Sequence, residues 1–149
     1  TGVATSSDPF GADLTGLSAR TVTGQGGSLS VTASKLLITD QGLVTSATSG
    51  NGDAGGVWLN VGTLLAEGNS QITSNSADTA TGDAGSVTIQ GLASLAESVT
   101  VTDSAILTQA DGTGAGGSIS IEANRITLNE ATVSASVHNV PVGGNSAEG

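Results

Sequence analysis

Four strings in this chain share one pattern in register, a turn glycine followed by an alternating apolar strand. They are Gly27-Ser-Leu-Ser-Val31, Gly55-Gly-Val-Trp-Leu59, Gly85-Ser-Val-Thr-Ile89 and Gly117-Ser-Ile-Ser-Ile121, and their leading glycines lie 28, 30 and 32 residues apart. Three have related lead-ins: Gly52-Asp-Ala-Gly55, Gly82-Asp-Ala-Gly85 and Gly114-Ala-Gly-Gly117. Two more strand-like segments follow in each repeat. The second carries Leu36/Ile38, Leu64/Ala66, Val99/Val101 and Ile126/Leu128, and the third is centred on Val44, Ile72, Leu107 and Val133. Period-2 alternation bounded by turn residues is the signature of strands. A fixed repeat of this kind constrains the fold to a stacked array. The prediction is an all-β chain, a right-handed parallel β-helix (solenoid) with three short strands per coil and a coil period of about 28–32 residues. A left-handed hexapeptide helix would need a coil of roughly 18 residues.

Each coil then rests on the next at ~4.8 Å through parallel ladder bonds. Inward columns would hold Leu29/Val57/Val87/Ile119 and Val31/Leu59/Ile89/Ile121. Outward columns would hold small polar residues: Ser30, Thr88 and Ser120 on one face, and Thr45, Thr73, Thr108 and Ser134 on another. The abundance of glycine, 23 of 149 residues, is expected to serve sharp turns through positive φ. The scarcity of charge, 11% of residues, is expected because like charges one rung apart repel. A disordered linker is disfavoured by the slightly positive mean hydropathy of +0.15 and by the alternation itself. A β-sandwich of short strands would show no fixed register of turn glycines.

Residues 1–149 read as a single solenoid segment of about four to five coils, open at both ends. Gly2-Val-Ala-Thr-Ser-Ser7 matches Gly42-Leu-Val-Thr-Ser-Ala47, which places the start inside the third strand of a coil. The end, Gly143 to Gly149, reads as another lead-in turn. The expectation is a window cut from a longer solenoid, with an end-to-end filament subunit as the alternative. Two insertions interrupt the period. Residues 8–23 are expected to form a loop or short helix packed on the outside, because Phe10, Leu14 and Leu17 share helical spacing. Leu92-Ala-Ser-Leu-Ala96 lengthens one turn and is expected to project from one face.

The composition removes several functions. With three basic residues and a net charge of −10 the chain has no basic footprint for nucleic acid. Without cysteine it has no disulfide framework and no thiolate metal site. No apolar run approaches the ~18 residues of a helical membrane span, so membrane insertion is not expected. Little points to catalysis. His138, the only histidine, sits beside Val137 with no partner constellation evident, and no catalytic residue and no cofactor are expected. Asp53 and Asp83 occupy equivalent turn positions. They are the candidate calcium ligands, against the alternative that each caps local turn amides. Trp58 falls at an outward position, as do Leu37 and Leu65 one coil apart, and these three form the candidate interface. Its possible occupants are a loop of the same chain, such as that around Phe10, another chain, or a sugar. An ice-binding threonine array is suggested by Thr100-x-Thr102 but interrupted by Leu37-x-Thr39, Leu65-x-Glu67 and Thr127-x-Asn129.

The strings GDAGGVWLN, GDAGSVTIQ and GAGGSISIE, each followed by a second apolar-x-apolar segment and a short third strand, resemble a known family. They are similar to the repeat region of filamentous-haemagglutinin-type exoproteins, which Gram-negative bacteria secrete by two-partner systems, with a cyanobacterial flavour. The resemblance covers roughly Gly2 to Gly149. It implies a right-handed β-helical stalk on the outer cell surface, with a structural or adhesive role and no enzymatic one. The partners it implies are copies of itself, end to end or laterally, and cell-surface glycans or proteins. A carbohydrate-binding face around Trp58 is the second expectation, ahead of a polysaccharide-active enzyme.

Overall fold

Alternating small and branched residues cannot bury two faces of a strand at once, so each strand here turns one row inward and leaves the other outside. The structure is a computed structural model and describes residues 4–8, 12–21, 25–77 and 79–138, with the backbone alone for 4–8 and 12–15. Its strands are β1 (Ala4–Asp8), β2 (Ala12–Thr21), β3 (Leu29–Thr48), β4 (Val57–Ala66), β5 (Gln71–Ser76), β6 (Val87–Gln90), β7 (Ser98–Thr102), β8 (Ala105–Ala110), β9 (Ile119–Ile121), β10 (Ile126–Asn129) and β11 (Thr132–Val137). Every strand pairing is parallel. The chain is a parallel β-solenoid of about four turns, and no helix occurs among the described residues.

Three faces can be followed rung by rung. The first stacks β1, the start of β3, the start of β4, β6 and β9. Its inward columns are Leu29–Val57–Val87–Ile119 and Val31–Leu59–Ile89–Ile121, as expected. The second face stacks Leu36–Leu64–Val99–Ile126 and Ile38–Ala66–Val101–Leu128. The third stacks Val44–Ile72–Ile106–Val133. Nearly all members of these columns in β3 to β8 are wholly buried and form one continuous core.

Three sequence expectations are corrected. On the third face Ile106, not Leu107, continues the column of Ile72. Leu107 pairs with Thr73 in the alternate column, where Thr45 and Thr73 are buried and not exposed as expected, and Thr108 turns inward and is fully buried. Two adjacent apolar residues make either phase possible, and the choice follows the corner length before β8. At the other end, residues 12–21 form a strand, not an outer loop or helix. Ala12 lies beside Leu36 and Leu14 beside Ile38; after a register shift Leu17 lies beside Val44. The supposed insertion is the second and third faces of the first coil, and a corner of one residue mimics the helical spacing of Leu14 and Leu17. Phe10 lies outside the described residues. Finally, β1 pairs with Leu29–Ala33, so it is a first-face strand and not a third strand.

The glycines also serve a different purpose from the one expected. Of the described glycines only Gly68 has positive φ. The positive φ values cluster instead at the corner between the second and third faces, at Asp40, Gln41, Asn69, Asp103 and Glu130. Short polar side chains are the best tolerated alternatives to glycine there. The lead-in glycines are needed because coils touch backbone to backbone. A Cβ on Gly55, Gly85 or Gly117 would stand 2.4, 2.4 or 2.0 Å from the carbonyl oxygen of the corresponding glycine one coil earlier.

Inside the third face the column Ser46–Ser74–Thr108 is polar and buried. Ser46 Oγ donates to the Gly27 carbonyl at 2.9 Å and Ser74 Oγ to that of Gly55 at 3.1 Å, tying the third strand to the lead-in turn of its own coil. Thr108 Oγ1 has no hydrogen-bond partner among the described residues.

Two stability predictions follow from these columns. Gly85→Ala should destabilise the fold by about 1–3 kcal/mol in urea unfolding, because the coils must separate to admit the methyl group. Gly16→Ala, whose Cβ would meet nothing closer than 4.0 Å, is the control and should be near neutral. Thr108→Val should stabilise the fold by about 1 kcal/mol and so raise the unfolding midpoint, since it keeps the shape and removes an unpaired buried hydroxyl.

Candidate functional site

Identical positions stacked one rung apart leave little room for a pocket, so sites must arise where a column changes its residue type. Three such places stand out: the Trp58 face, the aspartate turns and the Asp103–Glu130 corner.

Trp58 occupies an outward column, Ser30–Trp58–Thr88–Ser120, and is 39% exposed. The position two residues earlier runs Ser28, Gly56, Ser86, Ser118 from β3 to β9, so the one coil with tryptophan has glycine where these three have serine. The geometry explains the exchange. A Cβ on Gly56 would lie 2.5, 2.7 and 2.9 Å from Cη2, Cζ3 and Cζ2 of Trp58. An edge-on approach would leave the two flanking atoms much farther away than the middle one. The indole therefore lies with a face of its six-membered ring over Gly56. One face of the ring thus packs on the turn residue that leads into its own strand. Asn60, the next outward residue on β4, accepts a 2.7 Å hydrogen bond from Gln90 Nε2 on the adjacent rung.

Leu37 and Leu65 are strand partners and half-buried. They do not share a face with Trp58. Gly62 and Thr63 are both half-buried between buried Val61 and Leu64, which breaks the alternation and marks the bend between first and second faces. The second-face column continues into Thr100 and Thr127, so the threonine array is interrupted as its sequence indicated. The longer turn at residues 91–95 leaves the first corner and exposes Leu92 and Leu95 before Ala96 rejoins the ladder beside Ala123.

Asp53 and Asp83 are exposed and aligned, but they do not cap their own turns. Asp53 Oδ1 accepts from the Asp83 backbone N–H at 2.9 Å, and Asp83 Oδ1 from the Ala115 N–H at 2.6 Å. Each carboxylate staples its coil to the next. Charge-assisted bonds to amides are among the stronger hydrogen bonds of a protein surface. Among the described residues no three His, Asp or Glu side chains converge in the manner of a metal site. His138 is exposed, and its backbone N–H extends the third-face ladder to the Ala110 carbonyl at 2.7 Å.

The sequence held no clear signal for the third place. Asp103 and Glu130 both adopt positive φ at the same corner of successive coils, where the Asp103 N–H reaches the Asn129 carbonyl at 3.0 Å. Their carboxyl groups are neighbours, and they line a shallow groove with Asn69, Ser70, Gln71 and Ser104. The shared hydrogen bond with Asp103, and then its like charge, hold the Glu130 carboxyl above its ordinary value.

No protein-family model matches this chain, and neither a curated protein nor a solved structure matches it.

The acidic pair predicts a pH dependence with a definite sign. The folded chain holds the Glu130 proton more tightly than the unfolded chain does. The resulting stabilisation is present below the ordinary glutamate value and is lost as pH rises through the raised one. Glu130→Gln should therefore flatten this part of the pH profile and melt above the unmodified chain near pH 7, as thermal melts across the acidic range would show.

Proposed function

We propose that this chain is a non-catalytic structural segment of an exported, surface-exposed β-solenoid, the stalk of an adhesin or filament of the filamentous-haemagglutinin type. The observation that carries the reading is the ladder itself. Parallel pairing runs through every coil, with the same columns repeated on three faces. A chain built this way is stiff along one axis, and its repeats each contact only their neighbours.

Its chemistry supports the same reading. The aspartates that might have formed a site are engaged in holding coils together. The absence of cysteine suits a chain that passes an envelope unfolded. The repeat strings resemble those exoproteins over nearly the whole length, and localisation at the outer surface of a Gram-negative cell rests on that resemblance.

Copies of the chain, end to end or side by side, are the partners this reading implies. Ile126, Leu128 and Val137 are 46%, 50% and 49% exposed although they continue the buried columns of Val99, Val101 and Ala110.

Two measurements test the proposal. Antibodies to this chain should label intact cells of its source, and deleting it from its parent protein should reduce attachment. Label confined to permeabilised cells would overturn the surface reading. Sedimentation velocity should show concentration-dependent association of the isolated chain, and Leu128→Lys should weaken it. A monomer unaffected by concentration would remove end-to-end stacking.

A further inference from the structure

We propose that the outer face of the Trp58 indole is a platform for the flat apolar face of an uncharged pyranose, of the β-linked glucose or N-acetylglucosamine kind. The inference is independent of the stalk reading, since a stalk without sugar affinity would remain a stalk.

The ring is already held in place. Gly56 backs one face, and the clash that any Cβ there would cause shows how closely the two are stacked. A ligand meeting a fixed ring loses less conformational entropy than one meeting a free side chain. With one face on Gly56, the exposure of 39% leaves the other available to solvent. The surroundings are hydroxyls and amides. Ser30 and Thr88 flank Trp58 on the neighbouring rungs, and Ser28 and Ser86 flank Gly56 in the same way. The Asn60–Gln90 pair lies two residues along the strand on the same side.

This combination selects among possible occupants. A pyranose with equatorial substituents presents C–H groups on one face and hydroxyls around its edge, which matches an aromatic plate with a polar rim. A protein partner would need about 800 Å² on each side with a buried apolar centre, and one indole face among serine and threonine does not supply it. An acidic saccharide would meet a chain of net charge −10, with exposed Asp53 and Asp83 in the turns that lead into this face.

The molecule carries its own reporter, because Trp58 is its only tryptophan and it has no tyrosine. Titration with cellotetraose and with chitotetraose should shift the Trp58 emission to the blue, saturably, and protect it from iodide quenching. The expected dissociation constant is on the order of 1 mM, appropriate to one stacked ring. Gly56→Ser is the decisive variant. Serine occupies this position in three other coils, so the fold should persist by circular dichroism, while the added Cβ drives the indole off its seat. Affinity should fall at least about tenfold with Trp58 still present. Trp58→Ala, followed by calorimetry, should lose it as well. No emission change with either saccharide at about 10 mM, tenfold above that constant, would overturn the proposal. Unaltered affinity in folded Gly56→Ser or in Trp58→Ala would do the same.

Discussion

Everything in this structure depends on the spacing of the parallel ladder. Each residue has the same position of the next coil ~4.8 Å away, above and below. A side chain must therefore be compatible with near-copies of itself. Branched aliphatics satisfy this inside, where Leu36, Leu64 and Val99 stack without polar atoms. Small hydroxyls satisfy it by bonding along their own column, as in the buried 2.8 Å bond from Thr73 Oγ1 to Thr45 Oγ1. Isolated like charges do not, and the aligned aspartates are accommodated because each carboxylate meets an amide of the next coil.

Backbone contact at the lead-in turns is the second consequence of that spacing. The glycine column from Gly27 to Gly117 brings successive turns so close that no Cβ fits between them. The corner between second and third faces solves a different problem. There the chain reverses through positive φ at polar residues, and its length varies from coil to coil. One corner is crowded for contact and the other is strained for direction, so they tolerate different substitutions.

Much of this was legible beforehand. The first- and second-face columns follow from the alternation of Val57-x-Leu59 and Val99-x-Val101, since in these strings only one phase buries the apolar residues. The third face was less secure, because AILTQA contains two adjacent apolar residues and its polar inward column looks like an outward one. Residues 8–23 misled for a related reason. Once the corner shortens to a single residue, the in-facing positions of two strand segments fall three apart, as on a helix. The Trp58 site was half visible. Its outward placement follows from alternation, but the seat on Gly56 requires knowing where the ring lies, and Leu37 and Leu65 lie beyond the bend at Gly62–Thr63, on the second face.

By itself the amino-acid sequence determined that this chain is a stack of parallel coils, which columns on two faces point inward, and that it lacks the basic residues and cysteines of whole classes of function. Those properties are carried by local alternation and by repeats that keep their order. Tertiary structure alone decided the phase of the third face and the membership of the first coil. It also decided that the aspartates bind forward to the next coil and that the acidic pair meets at a corner. These depend on corner lengths and on which rung lies against which, and a shift of one residue at a corner exchanges inside for outside along the strand that follows.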